Sequence, residues 1–220
     1  MTLARRLAAE ALGSALLFAT VIGSGIMAAA LAGGNDAVAL LGSTLATVAM
    51  LFVLITMLGP VSGAHFNPAV TLVMALRRDL AWRDAGLFVA VQIGGGLIGV
   101  LLTHAMFDLP LLQVATKVRT GPGQWLAESV ASFALLLTIL GTLRHRPAWV
   151  PVSVAAVITA GYWFTASTSF ANPAITLART LSNSFAGIRP VDAPAFIAAQ
   201  LAGALLAMVV AGWLFGDEAN

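Results

Sequence analysis

Six long apolar stretches dominate the hydrophobic pattern of the chain. They lie near residues 7–32, 38–58, 83–106, 123–143, 149–166 and 193–215. Each is long enough for a helix to cross about 30 Å of hydrocarbon. Polar and helix-breaking residues separate the stretches at AGGND (32–36), FDLP (107–110), RTGPG (119–123), RHRP (144–147) and GIRPVDAP (187–194). The pattern therefore predicts six transmembrane helices.

Two shorter helical patterns, about 67–77 and 172–183, each begin at an Asn-Pro-Ala tripeptide. Asn caps a helix with its side-chain oxygen, and Pro suits the first helical position because no N–H is needed there. Neither segment is long enough to cross a bilayer. We expect two half-helices that enter the membrane without spanning it.

The composition indicates that these helices lie in lipid. Of 220 residues, 60% are hydrophobic and only 9% are charged, whereas a soluble domain has about 25% charged residues. Eleven Lys and Arg against nine Asp and Glu is too small an excess to suggest a nucleic-acid partner. The chain has no cysteine, which excludes disulfides and thiolate metal sites. We predict a polytopic membrane protein whose surroundings are the lipid bilayer.

The distribution of positive charge predicts the orientation in the membrane. The first apolar run continues to about Leu31 and carries Glu10, so we expect a retained helix rather than a cleaved leader. The segments on the side of the amino terminus carry Arg5, Arg6, Arg77, Arg78, Arg83, Arg144 and Arg146. The opposite side carries Lys117, Arg119, Arg179 and Arg189. Seven against four predicts that both termini are cytoplasmic.

The chain repeats itself. Glu10 begins the first span in AAEALGSAL, and Glu128 begins the fourth in LAESVASFAL. The halves, about 1–110 and 120–220, also end alike, in VQIGGGLIGVLL and AQLAGALLAMVV. Three spans per half is an odd number, so the second half must be inverted in a single domain covering 1–220. Inverted repeats are common to channels and secondary transporters, whose site lies at the midplane.

If the inverted half-helices enter from opposite faces, their starts at Asn67 and Asn172 meet near the middle of the membrane. There each amide N–H₂ can point into a central path, and the two helix N-termini disfavour cations. The non-helical backbone at 62–66 and 166–170 is tolerable at this depth only where protein covers it or water lines it. The pattern favours a narrow pore for small uncharged molecules.

The chain resembles the aquaporin family, the major intrinsic proteins, over essentially its whole length, and SGAHFNPAVT at 62–71 matches the family's first signature. The resemblance implies an all-α fold of six transmembrane helices plus two re-entrant half-helices in an inverted repeat. It also implies a homotetramer with one passive pore per subunit. Carried over by position, the pore centre is Asn67, Pro68, Ala69, Asn172, Pro173 and Ala174. His65 would line the cytoplasmic vestibule, while Glu10 and Glu128 would be buried acceptors that brace the re-entrant loops.

The second motif departs from the family pattern. An arginine usually follows it and forms the outer filter, but here the residue is Ile175. By offset, the other filter positions are Thr47, Ser169 and Ala160. The expected constriction is wide and lacks the usual fixed charge. Arg179 lies one helical turn further on, where it either supplies positive charge to the vestibule or braces loops.

The run YWFTASTSFANPAITLAR resembles a bacterial aquaglyceroporin branch associated with arsenic resistance. That resemblance implies an inner-membrane channel for glycerol-like polyols, neutral arsenic and antimony hydroxides, methylated arsenicals and water. The alternatives are a water-selective aquaporin and a gradient-coupled secondary transporter. Independently of these alternatives, Glu10 and Glu128 are also candidate proton-relay groups, and His65 is as compatible with a bond to backbone as with contact to solute. No catalytic triad order, metal-ligand spacing or phosphate loop is present, so we expect no enzyme activity, cofactor or metal.

Overall fold

The computed structural model describes residues 1–216, and all of the regular secondary structure in this range is helical. Its α-helices are α1 (Leu3–Leu31), α2 (Asp36–Ser62), α3 (Pro68–Leu76), α4 (Trp82–Met106), α5 (Pro122–His145), α6 (Val150–Phe164), α7 (Pro173–Arg179) and α8 (Ala193–Leu214). Within the described range, six helices are long and apolar enough to cross a membrane. The predicted fold of six spans and two short helices is confirmed.

Three helix ends differ from the prediction by four residues, and the first is the start of α1, at Leu3 rather than near residue 7. Helix α2 continues through Pro60 to Ser62, four residues beyond the predicted end, because a helix tolerates one missing N–H donor when packing holds it. Helix α7 ends at Arg179 rather than near 183. The Arg179 carbonyl instead accepts a hydrogen bond from the N–H of Ile188 at 3.3 Å, so the chain turns back into a compact loop.

The helices form two sets with equivalent contacts. Helix α1 packs on α2 and α4, and α5 packs on α6 and α8, while α2 and α6 join the two sets. Glycine allows the closest approach in each set. A Cβ at Gly95 would collide with the backbone oxygen of Ala11, and one at Gly203 would collide with that of Ser129. These small residues allow the long helices to cross in backbone contact.

The short helices fill the space between the two sets. Helix α3 packs on α4 and α8, α7 packs on α4 and α8, and α3 and α7 touch each other. We name the end of the bundle that carries residue 3 and the loops 77–81 and 146–149 the terminal face. The other end, which carries the loops 32–35, 107–121 and 180–192, is the loop face.

Candidate solute passage

The two half-helices meet at Asn67 and Asn172. Each side-chain oxygen accepts a hydrogen bond from the backbone N–H two residues further on, at 2.9 and 3.0 Å, and so caps its own helix. Each side-chain nitrogen reaches across to the other half: Asn67 Nδ2 donates to the Ala171 carbonyl at 2.7 Å, and Asn172 Nδ2 donates to the Phe66 carbonyl at 2.8 Å. An amide carries two N–H groups, so one on each asparagine is left for a passing molecule.

The backbone before each asparagine alternates into the left-handed region. Ala64 and Phe66 have φ of 51° and 48°, and Ser169 and Ala171 have φ of 52° and 47°. Non-glycine residues rarely adopt this conformation, which costs on the order of 1–3 kcal/mol each. The surrounding structure must therefore hold both segments in place.

Glu10 holds the first segment. It is fully buried, and its Oε1 accepts hydrogen bonds from Ser62 Oγ at 2.6 Å and the His65 N–H at 3.0 Å. Its Oε2 accepts from the Phe66 N–H and from Gln92 Nε2, both at 2.8 Å. Charge-assisted bonds of this kind are stronger than neutral ones. The carboxylate is fully engaged in fixing the loop.

Glu128 holds the second segment in the same way. It is also fully buried, and it accepts hydrogen bonds from the N–H groups of Phe170 and Ala171, each at 2.9 Å. Gln200 Nε2 donates to the second carboxylate oxygen, as Gln92 does to Glu10. Every carboxylate oxygen of the two glutamates thus accepts at least one hydrogen bond, and both side chains brace a re-entrant segment.

A cavity of about 260 Å³ runs past the two asparagines. Toward the terminal face it is lined by the apolar side chains of Met74, Ile139, Leu143, Val150 and Val154. Toward the loop face its lining includes Thr47, Tyr162, Ser169, Ile175 and Arg179. The walls are mostly apolar, and the polar groups are concentrated at the asparagines and at the loop-face end.

Three of the four predicted filter residues line this cavity, namely Thr47, Ser169 and Ile175. The prediction for Ala160 is wrong. Ala160 lies on the exposed side of α6 and does not line the cavity. Gly161 faces Ser169 instead, since a Cβ at Gly161 would lie 2.6 Å from Ser169 Oγ. The prediction failed because the offset from Asn172 is one residue away from the inner face of α6.

Tyr162 is the polar residue that α6 contributes to the cavity. Its hydroxyl donates to Thr47 Oγ1 at 3.4 Å, so it ties α6 to α2 at the loop-face end. The loop-face part of the cavity therefore has an aromatic side chain in its lining, in addition to the four residues predicted by offset from the asparagines. Tyr162 is the only tyrosine in the chain, and its position one turn after Ile158 on the inner face of α6 is the signal that could have identified it.

Arg179 lies in the cavity although it is not in the usual position. It is only 5% exposed and lines the cavity at its loop-face end. Its Nε donates to the Ala186 carbonyl, and its Cζ lies 3.5 Å from the centroid of the Phe170 ring. The sequence left two roles open, and the geometry combines both: the side chain braces the loop and also brings a cation to the mouth.

The remaining predicted residues lie beside the passage in different ways. His65 lines the cavity, and its Nδ1 is 3.1 Å from Thr71 Oγ1. The other members of the two tripeptides do not line it; they form the first turns of α3 and α7 and comprise Pro68, Ala69, Pro173 and Ala174. Their contribution to the pore centre is to orient Asn67 and Asn172.

Sequence reasoning missed three supporting side chains. Gln92 and Gln200 were visible as equivalent letters in the two repeat endings, but their hydrogen bonds to Glu10 and Glu128 depend on how the helices cross. Arg119 was counted only as a loop charge. It is buried, and its side chain donates to the carbonyls of Gly187 and Ser167 at 2.9 and 3.2 Å.

Comparisons with known proteins agree with this architecture. Residues 1–166 match the family model described as major intrinsic protein. The chain is 56% identical over 212 residues to aquaglyceroporin AqpS of Rhizobium meliloti (strain 1021), covering 96% of this chain and 91% of that one. It is 29% identical over 144 residues to the glycerol uptake facilitator protein of Bacillus subtilis (strain 168), covering 58% of this chain and 52% of the relative.

A solved structure shares the fold. The X-ray structure of the aquaglyceroporin from Plasmodium falciparum aligns with a TM-score of 0.69 over 98% of this chain and 97% of that chain, at 19% identity. The family match covers most of the chain, and its most similar relative cited above is alike over nearly its full length. This chain therefore belongs to the major intrinsic protein family, and it is a multi-pass membrane channel for small neutral solutes rather than an enzyme.

Proposed function

We propose that the channel conducts glycerol-sized polyols, neutral trivalent arsenic and antimony hydroxides or methylated arsenicals, and water. The observation that carries the proposal is the lining of the loop-face part of the cavity, where Ile175 stands in place of the family's usual arginine and lies with Thr47, Ser169 and Tyr162. The names of two relatives, an aquaglyceroporin and a glycerol uptake facilitator, are consistent with it.

The lining suits amphipathic solutes. A polyol has a carbon side and a hydroxyl side, and so needs an apolar wall facing hydrogen-bonding groups. Ile175 and Leu51 offer the wall, while Asn67 and Asn172 offer donors and the carbonyls beside them offer acceptors. A neutral metalloid hydroxide has a similar size and similar hydrogen-bonding groups, so the same passage should admit it.

The roles of the other residues follow from their contacts. In this proposal Asn67 and Asn172 contact the solute, His65 lines the vestibule on the terminal face, and Glu10 and Glu128 act as structural braces. The chain forms one domain of two inverted repeats, about 1–110 and 120–220. It lies in a bacterial inner membrane with the terminal face toward the cytoplasm, and it assembles as a homotetramer with one passage per subunit.

Uptake by proteoliposomes tests the proposal directly. We expect glycerol and arsenite to enter vesicles that contain the protein faster than protein-free vesicles, with flux linear in concentration and independent of proton or sodium gradients. Water flux without movement of either solute would instead identify a water-selective channel. Saturating or gradient-dependent flux would identify a secondary transporter.

Ile175→Arg tests the position of the constriction. The new guanidinium would narrow the passage beside Thr47 and Ser169, so we expect glycerol flux to fall more than water flux in stopped-flow swelling measurements. Ile175→Val, which keeps an apolar side chain, is the matched control and should conduct both. An equal loss of both fluxes in Ile175→Arg would place the constriction elsewhere.

A further inference from the structure

The guanidinium of Arg179 has unused hydrogen-bonding capacity. Its Nε is bonded to the Ala186 carbonyl, but within residues 1–216 neither terminal nitrogen has a hydrogen-bond or ion-pair partner. The residue is 5% exposed and lines the cavity. A buried guanidinium with free N–H groups is costly unless something binds it, so this side chain points to a ligand.

Two arginines share one aromatic ring at this point. The Cζ atoms of Arg179 and Arg119 lie 3.5 and 4.9 Å from the centroid of Phe170. Phe170 is itself packed edge-on against Phe196, with 5.3 Å between centroids. Cation–π contacts offset part of the repulsion between the two cations. The ring therefore holds Arg179 in one orientation, with Arg119 beside it.

Arg119 is fixed independently of Arg179. Its side chain donates to the carbonyls of Gly187 and Ser167, and its backbone N–H donates to Asp192 Oδ2 at 2.9 Å. Arg119 thus connects the loop 107–121 to the segment that carries Arg179, without lining the cavity itself.

Within residues 1–216 no carboxylate forms an ion pair with Arg179 or Arg119, although Glu128 attracts both cations at longer range. Asp192 is paired with Arg189, at 2.9 Å between Oδ1 and Nη2. Glu128 accepts hydrogen bonds from two backbone N–H groups and Gln200, and from neither arginine. Burial, and then repulsion from Arg119 and Arg179, lower the pKa of Lys117 to about 8. Asp36 and Asp108 also lie toward the loop face, so the feature that sets Arg179 apart is its unpaired guanidinium in the cavity rather than the total charge.

We propose that Arg179 binds a small oxyanion at the loop-face mouth of the passage, and that Arg119 is the positioning residue that orients it through Phe170. The free N–H groups of a guanidinium match two oxygens of a carboxylate or sulfonate. The apolar wall at Ile175 makes further entry costly for a charged ligand. The bound anion consequently obstructs neutral solutes. The inhibition of neutral-solute flux rests on the proposed function, whereas the binding of the anion to Arg179 does not.

Methanesulfonate is a suitable probe because it stays monoanionic at every working pH and crosses lipid poorly. Glycerol flux into proteoliposomes would be measured with methanesulfonate on both sides, against chloride at equal ionic strength. We expect saturable inhibition in the wild type and an apparent Kd at least about tenfold higher in Arg179→Gln, because a charge-assisted bidentate contact is lost. Arg179→Lys keeps the charge without the fork and should be intermediate.

The control and the positioning variant separate specific binding from a general charge effect. Arg146→Gln removes an exposed cation of the terminal face and should leave both flux and inhibition unchanged. Arg119→Gln should raise the apparent Kd for methanesulfonate while chloride still has no effect. Equal inhibition of the wild type and Arg179→Gln, or none in the wild type, would overturn the proposal.

Binding would also be measured without transport, as the rise in melting temperature of the purified protein in methanesulfonate. We expect this rise in the wild type and not in Arg179→Gln. If the anion binds through Arg179 but glycerol does not move, the proposed function fails alone. If glycerol moves and methanesulfonate neither binds nor inhibits, the oxyanion site fails alone.

Discussion

At the scale of single residues, Asn67 and Asn172 each serve two purposes. The sequence predicted the capping bond of each side-chain oxygen, because an Asn-Pro pair at a helix start is a local signal. It could not predict the cross-bonds to Ala171 and Phe66, since those partners are 104 and 106 residues away. Their geometry depends on left-handed backbone that no local pattern indicates.

Asn67→Asp tests the cross-bond. An aspartate keeps the capping oxygen but cannot donate to the Ala171 carbonyl, 2.7 Å from Asn67 Nδ2, and it places a negative charge there. We expect lower thermal stability, by on the order of 1–3 kcal/mol, and loss of most glycerol flux. Asn183→Asp is the control, because Asn183 uses only its oxygen, toward Thr116. If both variants behaved alike, the cross-bond would be unimportant.

Lys117 is the only lysine in the chain. The pKa of its ammonium depends on the nearby charges at the loop face. Its Nζ donates to the Phe185 carbonyl at 2.9 Å. Because burial, Arg119 and Arg179 lower its pKa to about 8, its ammonium is charged below pH 8 and neutral above it. We expect its reactivity toward an amine-acylating reagent, followed by mass spectrometry, to rise with a midpoint near that pH.

Arg119→Gln should move this midpoint upward, because it removes the strongest repelling charge while the partial burial of the ammonium remains. Arg146→Gln, at the other end of the molecule, should not move it. A midpoint near the ordinary lysine value of about 10.4 in the wild type would mean that neither burial nor the two arginines act on the Lys117 ammonium.

At the scale of elements, the sequence predicted what depends on short-range pattern and missed what depends on packing. Six apolar runs gave six spans, since length and hydrophobicity alone determine whether a helix can cross. The end of α7 and the inward face of α6 depend on tertiary contacts, namely the loop that closes on Arg179 and the approach of Gly161 to Ser169. For this reason the prediction failed at 180–183 and at Ala160.

The close contacts of α1 with α4 and of α5 with α8 determine where Glu10 and Glu128 lie. Gly95 meets the carbonyl of Ala11, the residue after Glu10, and Gly203 meets that of Ser129, the residue after Glu128. Gly95→Ala or Gly203→Ala would force the helices apart and displace the adjacent glutamate. We expect each to cost about 1–3 kcal/mol of stability and to reduce flux, as measured by thermal unfolding and vesicle swelling.

Gly94→Ala is the matched control for these variants, because a Cβ at Gly94 would meet nothing within 4 Å. It should leave stability and flux intact. If Gly94→Ala lost as much stability and flux as Gly95→Ala or Gly203→Ala, the losses would come from adding a methyl group to a helix and not from the close helix contacts.

At the scale of the whole molecule, the sequence predicted least about the structure of the loop face. The loop 107–121 docks on the segment after α7, through bonds from the Ala115 N–H to the Thr180 carbonyl and from the Arg189 N–H to the Lys117 carbonyl. These segments are separated by more than sixty residues, and neither has regular periodicity. The hydrophobic pattern therefore could not predict that these loops pack together, or that Arg119 is buried between them.

The orientation in the membrane is a property of the entire chain, and fusion reporters test it. Seven arginines lie toward the terminal face against four basic residues toward the loop face, and six spans bring both termini to the same face. Positive residues are retained in the cytoplasm. We expect alkaline phosphatase inserted at Gly34 to be active and a green fluorescent protein fused after residue 220 to fluoresce.

Replacing Arg77 and Arg78 with glutamine should weaken this preference, because the bias falls from seven against four to five against four. A fraction of the molecules would then insert inverted, seen as lower phosphatase activity per molecule. Among residues 1–216, the double substitution removes one salt bridge of this pair, between Arg77 Nε and Asp79 Oδ2 at 3.0 Å on the surface. Such an exposed pair contributes little to stability. A change in reporter activity with unaltered protein level would hence reflect topology, whereas an inactive phosphatase at Gly34 in the unmodified chain would reverse the assignment of the two faces.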